Sequence, residues 1–158
     1  MDMQLIKELN NITEQKLKFF REILDITVLQ KEDIKNNKAE NIETLVQKKQ
    51  QVIDTIDKLD KSFLTGYRQL KDELKIGKPD KIDTDKYPEL KTLKHCVEEI
   101  IDLAGAIMEL ENSNREKLNK IFDEVKNELK QINTGKRSLK AYEIPFTQKD
   151  GIYIDKKK

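Results

Sequence analysis

Residues 5–28, LIKELNNITEQKLKFFREILDITV, decide the fold class. Leu5, Leu9, Ile12, Phe19, Ile23 and Ile26 recur at spacings of 4, 3, 7, 4 and 3 residues, which places all six on one stripe of an α-helix. Lys16 and Gln30 fall on the same stripe as polar interruptions. Ile6, Phe20, Leu24 and Val28 widen it on one flank, which predicts a helix packed against two neighbours.

Outward from this segment the pattern repeats twice. It fades over residues 33–37, where Asn37 followed by Glu40 reads as a capping box opening a second helix. So short a connection implies an antiparallel hairpin. The second stripe runs from Ile42, Leu45 and Val46 through Val52, Ile53, Ile56, Leu59, Phe63, Tyr67, Leu70 and Leu74, with Gly77 as C′ glycine and Pro79 as stop. Gly66, inside it, reads either as a modest propensity cost or as a close helix crossing. Residues 76–87, rich in Asp, Lys, Gly and Pro, form the one clear internal loop, and Pro88 opens a third helix. Its stripe includes Leu90, Leu93, Val97, Ile100, Ile101, Ala104, Ile107, Met108, Leu118, Ile121, Val125, Leu129 and Ile132, with a polar break at residues 111–114. Ala104-Gly105-Ala106 permits close backbone approach, and Thr134-Gly135 is the stop.

The expected fold is all-α: an elongated antiparallel bundle of three long helices, about 3–35, 38–75 and 88–133, making one domain over 1–135. Residues 136–158 form a separate C-terminal tail, extended or a hairpin, because apolar residues there alternate in twos around Asp150-Gly151. A two-stranded hairpin alone is marginal in water, so such a tail docks on the bundle or awaits a partner.

Composition narrows the function. Charged residues make up 39% of the chain and hydrophobic ones 36%, with no Trp, a balance that suits helices with one apolar stripe each better than a compact α/β enzyme. The net charge of +1 leaves no electrostatic footprint for nucleic acid. One Cys excludes an intrachain disulfide and fits a reducing, cytoplasmic setting, and no apolar run reaches signal or membrane-spanning length.

No cofactor, metal or catalytic motif stands out. His95-Cys96 lacks a third group to orient a dyad or complete a zinc site, and reads as structural. Asp80, Asp83 and Asp85 resemble part of a calcium loop, but the sixth-position glycine is missing and Lys91 stands where a bidentate Glu is required. Gly135-Lys136-Arg137-Ser138 imitates the end of a phosphate loop, yet Lys130 replaces its first glycine. Interleaved Glu and Lys read as solvated faces. The remaining candidate is apolar: the third stripe outruns what the other two can cover, leaving a groove with Ile121, Val125, Leu129, Ile132 and Leu139 as its members.

Two stretches resemble a known family. Residues 41–60, NIETLVQKKQQVIDTIDKLD, are similar to the FlgN pattern of an amidic-acidic start, leucines, a Lys-Gln pair and a closing Leu-Asp. Residues 135–142, GKRSLKAY, with 151–158, GIYIDKKK, resemble the C-terminus of Gram-positive members. The resemblance implies a cytosolic type III export chaperone that holds hook-associated (hook-filament junction) proteins unassembled and delivers them to the flagellar export gate. Its clients would offer amphipathic terminal helices to the C-terminal segment. It also implies gate docking through a tyrosine, here Tyr142, with Tyr153 as the other choice. The tail after Tyr142 departs from that pattern, since it reads as extended where client contacts of the family's kind would be helical, and Ile144, Phe146, Ile152 and Ile154 are read instead as a lid that covers the groove until a client displaces it. Two readings stand beside this one: a FliT-like chaperone for the filament cap protein, and a homodimeric coiled-coil adaptor, against which Lys16, Lys49 and Asn114 interrupt any uniform zipper.

Overall fold

The structure, a computed structural model, describes residues 1–132, the side chain of residue 39 excepted. The tail from residue 136 onward, extended or hairpin, lies outside the described residues, as does the stop at Thr134-Gly135. Three helices are present: α1 (Met3–Lys35), α2 (Ala39–Leu74) and α3 (Lys91–Ile132). They pack as an all-α bundle, and no strand occurs among the described residues. The compact unit Met1–Glu111 contains α1, α2 and the first half of α3.

Asp2 starts α1, its carboxylate accepting from the Leu5 N–H at 3.1 Å. At one end of the unit, Leu5, Ile6 and Leu9 of α1 meet Phe63, Tyr67 and Leu70 of α2 and Leu90 and Leu93 at the entry to α3. In the middle, Leu17 packs with Cys96 and Ile100. Further along, Ile23 and Ile26 meet Val52, Ile56 and Ile107. The start of α1 thus sits beside the end of α2 and the start of α3, so the helices run up, down and up. Thr13 and Thr27, both fully buried, donate their hydroxyls back to the carbonyls of Leu9 and Ile23, which satisfies them inside the apolar seam.

Several local expectations are corrected. The α1–α2 turn has no capping box: Lys38 is the N-cap residue without a side-chain bond, and Asn37 instead takes φ 57° to reverse the chain. The left-handed residue ending α2 is Lys75, φ 56°, not Gly77; its N–H reaches the Lys71 carbonyl. Pro88 opens a 3₁₀ turn, Pro88–Leu90, that leads into α3. Gly66 marks a close crossing, since a Cβ there would lie 3.0 Å from Leu9 Cδ2. Gly105 marks none, with no atom within 4 Å of such a Cβ. Val28, Ile101 and Met108, read as stripe members, are exposed. They sit at the stripe edges, beyond the arc that two neighbouring helices cover.

The internal loop is part of the core. Ile82 is 2% exposed and joins the cluster of Leu9 and Leu70, with Ile76 and Tyr87 packed against it. Tyr67 donates to the Gly77 carbonyl at 2.6 Å and Tyr87 to the Leu74 carbonyl at 3.3 Å, so two phenols tie the loop to the end of α2. Burial, and secondarily the Asp80 charge, push the Tyr67 hydroxyl up to about 12.

Candidate functional site

The second unit begins at Asn112, and its described part is the stretch of α3 to Ile132. This stretch is helical by composition as well as period: Glu, Lys and Leu dominate, with neither Gly nor Pro. Leu118, Ile121, Phe122, Val125, Leu129 and Ile132 fall at spacings of 3, 1, 3, 4 and 3 and so share one face. Val125, at the centre of that face, is 46% exposed and Ile132 74% exposed, while Leu118, Ile121, Phe122 and Leu129 are half-buried. The opposite face carries Glu116, Lys120, Asp123 and Lys130, interleaved exposed charges that suit a solvated face.

Of the groove residues expected from sequence, Ile121, Val125, Leu129 and Ile132 therefore lie on one helix face. Leu139, the gate candidates Tyr142 and Tyr153, and the lid residues Ile144, Phe146, Ile152 and Ile154 lie outside the described residues. Phe122 was overlooked by the sequence reading. Its signal was present, four residues after Leu118 and seven before Leu129.

What such a face offers is apolar surface, with no reacting group on it. A partner helix covering Val125 and Ile132 would gain about 25 cal/mol for each Å² of apolar surface removed from water. The flanking charges set orientation and on-rate.

A second feature, also missed from sequence, is polar and buried. Lys49 of α2 is 0% exposed. Its ammonium donates to Gln30 Oε1 of α1 at 2.6 Å and pairs with the Glu111 carboxylate of α3. One side chain from each helix thus forms a polar layer at the end of the first unit.

The other titratable groups serve structure. Arg21 pairs with Glu99 at 3.1 Å, and His95 Nε2 lies 2.7 Å from the same carboxylate, on the exposed surface. Burial raises the Cys96 thiol above its ordinary range, with Glu14 and Glu99 adding to the effect and Arg21 opposing it. Lys16 pairs with Asp60 and lies 5.0 Å over the Phe63 ring. Asp83, part of the calcium-like run, accepts from the backbone N–H groups of Asp85 and Lys86 at 3.1 and 3.3 Å, a turn-forming role. Among the described residues no three His, Cys, Asp or Glu side chains converge as metal ligands, and no helix is long and apolar enough to cross a membrane. One shallow cleft of about 280 Å³ opens beside the α1–α2 turn, lined by Leu29, Asp33, Asn41, Thr44 and Leu45.

Compared with known proteins, the chain matches the family model described as FlgN protein over residues 1–144. No curated protein and no solved structure matches it.

Proposed function

The chain belongs to the FlgN family of flagellar export chaperones, and from that premise we propose that it holds hook-filament junction proteins in an unassembled state in the cytoplasm and passes them to the export gate. The observation that carries the reading is the face from Leu118 to Ile132, where Val125 and Ile132 stay open to solvent on a helix otherwise dressed in charge. A junction protein must present surfaces that polymerise, and an amphipathic terminal helix is the natural form of such a surface. Laid against Ile121, Val125 and Leu129, its apolar side is hidden until delivery. The role asked of the chain is binding, and none of its described polar clusters is arranged as a nucleophile, base and oxyanion site.

The groove members Ile121, Val125, Leu129, Ile132 and Leu139 are assigned to client contact. Tyr142 is assigned to the gate, as the family resemblance suggests, and Ile144, Phe146, Ile152 and Ile154 to a lid that the client displaces. The domain reading belongs to the same proposal: residues 1–135 act as the helical body and 136–158 as the tail. Affinity capture from a lysate of the flagellated source organism tests the client. Recovery of a hook-filament junction protein supports the reading; recovery of the filament cap protein instead transfers the role to the other client, and self-association with neither overturns it.

A further inference from the structure

The geometry points to the cleft beside the α1–α2 turn as a seat for one arginine side chain of a partner protein, its stem between Leu29 and Leu45 and its guanidinium on Asp33, Asn41 and Thr44. The cleft measures about 280 Å³, below the roughly 300–1,000 Å³ of pockets that enclose a small molecule. It also opens to solvent, so its scale is that of a side chain brought in on another protein's surface. The seat lies within the unit Met1–Glu111 and does not rest on the client face of α3.

The walls combine apolar surface with uncommitted polar groups. Leu45 is half-buried and packs against the cluster of Ile23, Ile26 and Val52, which fixes one wall to the core. Leu29 is 52% exposed and belongs to none of the three core clusters, so the other wall is apolar surface that the bundle does not use. Between them stands the half-buried Asp33, whose carboxylate is in no ion pair among the described residues. Thr13, Thr27, Thr55 and Thr65 each donate to the carbonyl four residues back. Thr44 makes no such bond, and the Asn41 side chain is likewise unengaged among the described residues.

Charge selects the occupant. Asp33 is the one formal charge in the lining, and Glu22, Asp25 and Glu32 stand seven and four residues before and three after Leu29, on the same exposed ridge of α1. None of these four carboxylates is in an ion pair among the described residues. Against them stand Lys38 in the turn and Lys48 on α2, while Lys31 and Lys35, two and six residues from Leu29, project from another side of α1. The rim is therefore net acidic and takes a cation. Three separate acceptors, the Asp33 carboxylate, Asn41 Oδ1 and Thr44 Oγ1, suit the five N–H donors of a guanidinium better than the single point charge of a lysine. An arginine also carries an apolar stem, which covers Leu29 and Leu45 while its head stays at the wet edge.

Titration of the full-length chain with Nα-acetyl-arginine amide at low ionic strength, followed by amide chemical shifts, tests the seat. The amides of Leu29, Asp33, Asn41, Thr44 and Leu45 should shift together and reach half-saturation at about 1–10 mM, the range for one side chain on an open site. Nα-acetyl-citrulline amide, of the same length but uncharged, should bind at least about tenfold more weakly, and Asp33→Asn should weaken the arginine probe by a similar factor. Leu29→Ala, which touches no core cluster, should weaken it about threefold and keeps the test sound if Asp33→Asn fails to fold. Shifts that do not saturate, equal binding of the citrulline probe, or undiminished binding by either folded variant would overturn the proposal.

Discussion

The close crossing at Gly66 makes a quantitative prediction about how α1 and α2 meet. Leu9 is 1% exposed, and a Cβ on Gly66 would lie 3.0 Å from its Cδ2 and 3.4 Å from Leu5 Cδ1. Leu9→Ala should cost about 3 kcal/mol, the middle of the range for emptying a packed leucine site. Gly66→Ala alone gains about 1 kcal/mol of helix propensity but overpacks against Leu9, at a cost of about 1–3 kcal/mol, so its net effect runs from neutral to destabilising. In the Leu9→Ala background that obstacle is gone. The same substitution should then recover about 1 kcal/mol from propensity and about 0.8 kcal/mol from burying a methyl group. The double variant should therefore be about 2 kcal/mol more stable than Leu9→Ala, with a coupling of about 2–4 kcal/mol between the sites. Urea unfolding of the four proteins, followed by far-ultraviolet circular dichroism, measures this cycle. If Gly66→Ala stabilises the parent by the full ~1 kcal/mol and the two effects add within about 0.3 kcal/mol, the helices do not cross closely there and the reasoning fails.

Three further outcomes are expected. Tyr67 is held neutral to about pH 12 in the folded chain against 10.0 when unfolded, so the stability it confers is complete below pH 10 and is lost as the pH rises towards 12. An absorbance titration of the phenols should show one tyrosine ionising late, and Tyr67→Phe, which removes the bond to Gly77, should cost about 1 kcal/mol in urea unfolding. Ile82→Ala should cost about 2–4 kcal/mol although it sits in a polar loop, because its side chain is core; a change within about 0.5 kcal/mol would place it outside the core. Cys96, buried with a raised thiol, should react with a thiol reagent at neutral pH at least about tenfold slower than the urea-unfolded chain, and equal rates would contradict its burial.

The three helices were legible because hydrophobic period is a property of neighbouring residues along the chain. Leu5, Leu9, Ile23 and Ile26 declare their common face without reference to anything distant. What covers a face is a distant property, and there the reading failed in particular places. Ile101 and Met108 share the period of Ile100 and Ile107 within a residue, but only the helices beside α3 decide which of the two rows is sheltered. Ile82 lies in a run of Asp and Lys, so its place in the cluster with Leu9, Leu70 and Leu90 has no local signature. Lys49 looked like an interruption of the stripe; its carboxylate partner stands 62 positions away in sequence. The helix ends were misread for a different reason. The turn at Asn37 and the reversal at Lys75 are set by how the hairpin closes, which overrode the local preference for a capping box and a glycine. Within the candidate groove, the sequence placed four residues on one face and passed over Phe122, and its remaining member, Leu139, lies outside the described residues.

The central claim is that the face around Val125 binds a client helix and contributes little to the fold. Calorimetric titration of a purified hook-filament junction protein into the full-length chain, beside its Val125→Asp, Leu129→Asp variant, tests it most directly, with a thermal melt of each to register folding. The account predicts a melt shifted by no more than about 3 °C, as for changes at partly exposed sites, and affinity reduced at least about a hundredfold by charges placed in an apolar interface. Undiminished binding by a folded variant would contradict it.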